Sequence, residues 1–472
     1  MTYSGYRDHR QAAKARITKI SDPNQAWLNQ SPHWSLIDAL LGGTYEMREK
    51  HRQYLPQEPR ETDESYDVRL YRSVCSPLYV RIARMLAGML TRKPVRLNDV
   101  PDIIREDLFD INLLGDDINV FTFNTAKILL RYGHVGCLVD APAEGQGGRP
   151  YWVTYSPKDI IGWRTEKKEG REELVQLRLV ERVIEPDGLY GEKEVKQVRL
   201  LTPGGYEIHR KDKEKSDWIL HEEGTTSLDR IPFAVAYSNR VGLLESRPPM
   251  EDLAELNLRH YQVSSDLGNI LHISAVPFLT ISGYPASAEE ITAGPGEALA
   301  LPEGASASYV EPAGQSFDAQ YKQIEHIEKQ INEGGLAAVL GRKLSAETAQ
   351  SKAIDRSQGD SQLMLVAQQM QDLIDNCLRF HASYLGVESG SCSVNRDFVA
   401  ARLDPQEIGS LMQLYTAGTI SKETLLTMLS EGEVLPDEFD IEEELEATET
   451  AGLVEMGPPE EKASAAEQDV EE

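Results

Sequence analysis

Few side chains in this 472-residue sequence are placed to do chemistry. The four cysteines, Cys75, Cys137, Cys377 and Cys392, lie far apart with no CxxC spacing, which argues against a zinc site or a disulfide framework and for idle or buried thiols in a reducing compartment. His260 and His272 are twelve residues apart, near one helical face, and could be imagined as metal ligands. A histidine inside a helix is more often a hydrogen-bonded packing residue, and the spacing offers neither of them a carboxylate partner. Glu251 and Asp252, and the run Glu442 to Glu444, are neighbours in sequence rather than facing pairs and read as solvated charge. GQGG at 145–148 lacks the Lys-Ser or Lys-Thr that would let a glycine loop cradle phosphate, so it reads as a hairpin or loop. With no HExxH, no GxSxG and no Cys/His grouping, the expectation is no cofactor, no metal and no enzyme. A hydrolase built on the acidic residues is the rival class; it predicts a metal-dependent activity that a single carboxylate substitution abolishes. The basic pair Arg342 and Lys343 stands in GGLAAVLGRKLSAETAQ (334–350), whose glycines describe a loop joining two helices. Within it SAET at 345–348 has the spacing of a capping box, with Glu347 one place early.

Three amphipathic segments flank that pair. In PPMEDLAELNLRHYQVSSDLGNILH (248–272), Leu253, Leu256, Val263, Leu267 and Ile270 share one face with His260 among them. Phe317, Tyr321, Ile324 and Ile331 repeat the rhythm, as do Leu363, Val366, Met370, Leu373, Cys377, Phe380 and Tyr384. Such narrow seams suit long helices laid along one another, as in the scaffold of a self-assembling protein; interior helices of an ordinary domain are the alternative.

The N-terminal part reads as helical around a polar loop: HWSLIDALLGGTYEMREK (33–50), then YLPQEPRETDESYD (54–67) as the loop, then SPLYVRIARMLAGMLTRKP (76–94). In the last, Leu78, Ile82, Met85, Leu86, Met89 and Leu90 make the apolar face, Arg81 and Arg84 lie towards the solvated side, and Pro94 stops the helix. DDINVFTFNTAKILLRYGHVGCLVDAP (116–142) reads as a helix leading through Gly133 into the buried strand 135–139. From Arg149 to about Phe233, short alternating runs rich in β-branched and aromatic residues, punctuated by Asp187-Gly188 and Gly204-Gly205, predict a small antiparallel β region. The stretch 277–312 reads as a few short strands between turns. DPQEIGSLMQLYTAGTI and SKETLLTMLSEGEVLP (404–436) form a helical pair broken at Gly418, with Ser421 as an N-cap. The predicted class is α+β, mainly α.

The formal charge is −28, and half of it lies in Asp437 to Glu472, where 15 acids face the single Lys462. By composition that tail is solvated or disordered. The rest of the chain is still acidic, which disfavours firm phosphate binding but suits a protein past which nucleic acid must slide. Hydrophobic residues make up 40% of the chain at a mean hydropathy of −0.42, fitting a water-soluble protein. No apolar run approaches the length of a membrane span, so no membrane partner is expected. The basic start MTYSGYRDHRQAAKARITK has no apolar core behind it, which argues against a secretory signal.

The ordered series YRSVCSPLYVRIARMLAGMLTRKP, RYGHVGCLVDAP, RPYWVTYSPKDIIGW, PPMEDLAELNLRHYQVSSDLGNILH, GDSQLMLVAQQMQDLIDNCLRFHASYLG and VNRDFVAARLDPQEIGSLMQLYTAGTISKETLL resembles the portal proteins of tailed bacteriophages, in a branch known as a domain of unknown function found in phage portals. The resemblance runs from about residue 30 to 436 and leaves out the first thirty residues and the acidic tail. It implies a phage portal fold: a helical wing at 1–148, a β-rich wing region at 149–245, stem helices at 246–275 and 315–333 and a clip insert at 276–314. A tunnel loop at 334–347, a long helix and return at 348–403, crown helices at 404–436 and an acidic disordered tail at 437–472 would follow.

The same resemblance implies a homo-oligomeric ring, typically dodecameric, at one capsid vertex of the virion, made in the host cytoplasm. Double-stranded DNA would be packaged through the ring by the terminase large subunit and later ejected. The major capsid protein and neck or tail adaptor proteins would be its other partners. Arg342 and Lys343 would face the DNA, although two solvated charges remain the other reading of that pair. The stem seam would comprise Leu253, Leu256, Val263, Leu267, Ile270, Tyr321, Ile324 and Ile331. The nearest alternative is a capsid scaffold or other oligomeric virion connector without a DNA channel, which would show no central hole.

Overall fold

The computed structural model describes residues 17–142, 148–168, 170–211, 217–274, 278–283, 304, 306–310, 315–340, 349–396, 398 and 405–431, with 434, 435, 439, 441, 444, 445 and 447. It is mixed α and β and mainly helical, as expected, and divides into two compact units, 1–396 and 397–472.

The first unit opens with helix α1, Gln25–Glu49, eight residues longer at its start than the apolar pattern suggested. Asn24 caps it, its side-chain oxygen accepting from Trp27 N at 2.8 Å, and Trp27 Nε1 donates to Lys158 O at 3.0 Å. The helix kinks at Gly43, whose φ of 65° only glycine adopts freely. The polar segment 54–67, expected as loop, is loop only to Thr62. There α2, Asp63–Arg72, begins, because Thr62 caps Ser65 N and Asp63 and Glu64 sit in the first turn where the helix dipole favours acids. Helix α3, Leu78–Leu90, buries Tyr79, Ile82, Ala83, Leu86, Ala87 and Leu90; it ends before Pro94, and Met85 lies off the buried face. Strand β1, Arg96–Asn98, and the short helix α4, Asp102–Asp107, lead to α5, Ile118–Tyr132, capped by Asp117.

Gly133 closes α5 at φ 95° and turns the chain into β2, His134–Asp140, buried along nearly all its length. A Cβ on Gly133 would stand 2.6 Å from Arg247 O, so both the angle and the space require glycine. Strand β3 (Tyr151–Tyr155) lies on one side of β2. A five-stranded antiparallel sheet follows in chain order: β4 (Ile160–Lys168), β5 (Arg171–Asp187), β6 (Gly191–Thr202), β7 (Gly205–Lys211) and β8 (Trp218–Thr225). Gly188 and Gly204, with φ of 75° and 78°, make two of its turns, as the Asp-Gly and Gly-Gly pairs predict. Strand β9 (Phe233–Tyr237) returns to the other side of β2, so the central strand of the small sheet comes from before residue 149. Apolar side chains of both sheets, among them Leu138, Tyr155, Leu177, Leu179, Leu201 and Phe233, form one core. Beside it Arg199 bridges the sheets, 2.6 Å from Asp140 on β2 and 2.8 Å from Glu181 on β5. The small pair β10 (Arg240–Gly242) and β11 (Glu245–Ser246) precedes the long helices.

Helix α6, Glu251–Ser274, is followed by the antiparallel strands β12, Phe278–Ser282, and β13, Ser306–Val310, then by α7, Gln315–Leu340, and α8, Ala349–Leu385. The unit ends with β14, Ser391–Ser393, paired with β1. In the second unit, α9 (Pro405–Thr416) and α10 (Lys422–Glu431) are separated at Gly418, whose φ is 72°. Ser421 Oγ accepts from Thr424 N at 3.1 Å, the expected cap. Among the described residues no helix is long and apolar enough to cross a membrane.

Candidate functional site

The long helices form a limb. Helices of 24 and 26 residues are about 36 and 39 Å long at 1.5 Å per residue. Their direction follows from two contacts: His260 Nε2 lies 3.1 Å from Glu328 Oε1, and a Cβ on Gly334 would stand 3.3 Å from Leu253 Cδ2. Partner numbers fall on α7 as they rise on α6, so the helices are antiparallel. The chain runs out along α6, turns in the β12–β13 hairpin and runs back along α7.

The base of α6 is locked into the body. Glu251, expected as solvated charge, is half-buried and pairs with His33 of α1; the carboxylate raises the imidazole pKa, while the hydrogen bond lowers that of Glu251. Asn257 is buried and clamps the start of α3, accepting from Tyr79 N at 2.9 Å and donating Nδ2 to Ser76 O at 3.0 Å. That explains how α3 begins with no side-chain cap from Pro77. Further along, Ser265 meets Ser73 Oγ at 2.6 Å beside Arg69, which is buried with Glu61 in a charge-assisted pair at 2.8 Å. The hydrogen bond from Arg69 holds the Glu61 carboxyl below its usual range.

Burial falls away towards the tip. Leu253, Val263 and Leu267 are buried, Leu256 and Ile270 are half-buried, and Gly268, Leu271 and His272 are exposed. On α7, Ile331 is fully buried and Ile324 half-buried, but Tyr321 is 49% exposed and lies outside the seam. The buried stripe runs instead through Ile324, Ile327 and Ile331, with Gln320 half-buried at its outer end. The expected seam is therefore corrected at Tyr321, which stands a turn outward of Ile324, where burial by α6 has run out. Ile327 is the residue missed. The outer third of the limb is held mainly by its own two helices.

His260 and His272 do not converge: the first is buried on Glu328 and the second faces outward. Among the described residues no group of three or more His, Cys, Asp and Glu is placed to hold a metal ion. The four cysteines are buried free thiols, and burial pushes Cys75 up to about 11 and Cys377 well above its ordinary value. Gly334 to Leu340, expected as part of a loop, continue α7; Gly334 serves as a small residue where α6 passes close, and the leucine and alanines after it favour the helix. Arg342, Lys343 and the capping pattern at 345–348 lie outside the described residues.

Helix α8 is buried more widely than a seam. Besides Leu363, Val366, Met370, Leu373 and Cys377 it buries Ala367, Ile374, Leu378, His381 and Ala382, whereas Phe380 and Tyr384 are half-buried. His381 closes a buried relay: Trp152 Nε1 lies 3.2 Å from Nδ1, and Nε2 lies 2.9 Å from Asp107 Oδ2. Indole can only donate, so Nδ1 is the acceptor and Nε2 carries the proton that Asp107 accepts. Burial holds the imidazole pKa below its usual value, although Asp107 pulls the other way. Every polar atom in the relay is satisfied without a substrate. It ties α8 to β3 and α4, and its geometry is that of a structural brace.

A family described as a domain of unknown function (DUF4055) matches residues 249–385, which is α6 through the last turn of α8. No curated protein matches the chain. Among solved structures, a chain from the neck of a native GTA particle computed with C12 symmetry is similar at 12% identity over 75% of this chain and 89% of that one, with a TM-score of 0.41. A chain from the neck of an empty GTA particle computed with C6 symmetry gives 13% identity, 75% and 90% coverage and the same TM-score. A chain from the virion of a native gene transfer agent particle gives 11% identity, 75% and 90% coverage and 0.41 again. At that TM-score the backbone likeness is too loose to assign a shared fold.

Proposed function

We propose that this chain is the portal subunit of a tailed bacteriophage, a structural virion protein whose copies close a ring at one capsid vertex. The observation that carries the reading is the limb. Two antiparallel helices, buried at the base and exposed towards the hairpin end, leave Leu271 and Tyr321 uncovered in the single chain. Flanks of that kind suit staves packed side by side around an axis, where each copy's open flank meets the next in a head-to-tail contact. The motif series in the sequence supports the same reading.

In such a ring α6 and α7 would be the stem and the segment carrying β12 and β13 the clip that meets the terminase and later the neck proteins. The crown would be α9 and α10. Because α7 runs to Leu340, the segment entering the tunnel would fall after it and would still hold Arg342 and Lys343. A sparse cation ring suits passage: proteins making roughly 6–10 phosphate contacts bind DNA with steep salt dependence, and adhesion of that order would brake it. Replacing Arg342 and Lys343 with Ala should leave assembly intact and alter the length or retention of packaged DNA; unchanged genome length and infectivity would discard their role. For the portal reading itself, heads assembled without this chain should contain no DNA. DNA-filled heads lacking it would contradict the reading.

A further inference from the structure

Two surface features of the first unit lack partners among the described residues, and their chemistries match. The first is the end of the β5–β6 hairpin. Strand β4 pairs with β5 only as far as Leu179, and β7 with β6 only from Gln197, so the rungs from Arg182–Lys196 to Asp187–Gly191 form a bare two-stranded ribbon. Six rungs extend about 20 Å. Ribbons of this kind are marginal in water without something to pack on. Here Ile184 is 66% exposed, and at the turn Leu189 and Tyr190 are 91% and 98% exposed. Nearer the base, Glu185 is held by Lys193 and Arg210, and Arg182 pairs with Glu194. At the tip Asp187 and Glu192 have no ion pair among the described residues.

The second feature is a cationic face where α3 and α5 pack together. Arg81 and Arg84 on α3 are exposed, and Lys127 and Arg131 on α5 are half-buried. None of the four has an ion pair among the described residues, in a chain with 77 acids against 49 bases. Lys127 Nζ instead lies 4.7 Å from the centroid of the Phe123 ring, and Arg131 Nε is buried with no hydrogen-bond partner. Burial, then Arg131 and Arg84, push the Lys127 pKa down against a smaller opposing pull from Asp116, as expected where like charges crowd. Met85, which the sequence placed on the apolar face of α3, is 36% exposed beside Arg84.

We infer that the β5–β6 tip of one copy seats on the α3–α5 face of an adjacent copy, with Asp187 and Glu192 against Arg84 and Lys127 and with Leu189 and Tyr190 covering Met85. The occupant is a second copy of this chain because the charges complement each other and because tip and face are different surfaces of one molecule. A head-to-tail interface of that kind repeats around a ring. An aromatic ring at the tip suits guanidinium groups on the face. The inference rests on the ring reading above and adds to it which surfaces meet.

The test uses the full chain and reads the concentration at half-assembly by sedimentation velocity. Leu189→Ser with Tyr190→Ser, and separately Arg84→Glu with Lys127→Glu, should each raise that concentration about tenfold or more, with the thermal melt of the fully exposed tip variant unchanged. Adding Asp187→Lys and Glu192→Lys to the second pair should restore assembly to within about threefold of the parent. Mixing Leu189→Cys with Met85→Cys under oxidation should give cross-linked dimers that neither gives alone, since the native thiols are buried. If the parent assembles normally while every variant matches it and no mixed cross-link forms, the inference is wrong and the ring reading stands. A loss of assembly only on reversing the cations, with the tip variants unaffected, also overturns it and assigns the face to another polyanion. A parent that never assembles removes the ring reading and the inference together.

Discussion

At the scale of single residues, several buried polar groups brace one element against another. The Asp107–His381–Trp152 relay has the parts of a catalytic constellation, yet each donor and acceptor is already paired inside the body. His134, 1% exposed and 2.8 Å from Ser246 Oγ, gives a pH test. Burial lowers its pKa to about 3 from the ordinary 6.5, so an unfolded chain takes up a proton that the folded one refuses. Stability from this site is therefore full above pH 6.5 and is lost as pH falls towards 3, by about 1.4 kcal/mol per pH unit. His134→Asn keeps a polar atom near Ser246 and cannot titrate. Urea denaturation from about pH 7.5 to about pH 5.5 should show a shallower loss in the variant; identical slopes would contradict the assignment. The buried Arg69–Glu61 pair gives a second test. Arg69→Leu should cost about 3–5 kcal/mol by stranding Glu61, and Arg69→Leu with Glu61→Leu should recover much of it.

At the scale of elements, what was legible in the sequence is what depends on local periodicity and turn chemistry. The helix 118–132, its stop at Gly133, the buried strand after it and the Ser421 cap could all be read because each is decided within a few residues. The two-strand pair β1–β14 could not: its strands are 293 positions apart, and at three residues the alternation of Arg96–Asn98 is too short to announce a strand. Asn257 was hidden for a similar reason. A polar residue inside an apolar seam looks like a flaw until the unsatisfied end of α3 is seen beside it. Tyr321 was misplaced because aromatic residues count as apolar in a periodicity argument, whereas three dimensions put Ile327 on the shared face. The limb makes that distinction measurable. Ile331→Ala and Ile327→Ala should each cost about 2–5 kcal/mol in chemical denaturation, and Tyr321→Ala should stay within about 0.5 kcal/mol. A Tyr321 cost equal to that of Ile331 would mean that α7 is rotated from the orientation described.

At the scale of the whole molecule, the charge is strongly negative and large apolar side chains stay exposed. An excess of 28 negative charges disfavours firm phosphate binding, so in the proposed ring DNA would be guided rather than gripped. The family match covers α6 to α8 and is described only as a domain of unknown function, so the portal reading rests on the motif series in the sequence and on the limb. Assembly therefore decides the matter, and negative-stain class averages of the purified protein measure it most directly. A portal subunit should give closed annuli of uniform subunit number with an open centre wide enough for a DNA duplex. Compact monomers or dimers at every concentration, or rings with a filled centre, would contradict the portal reading.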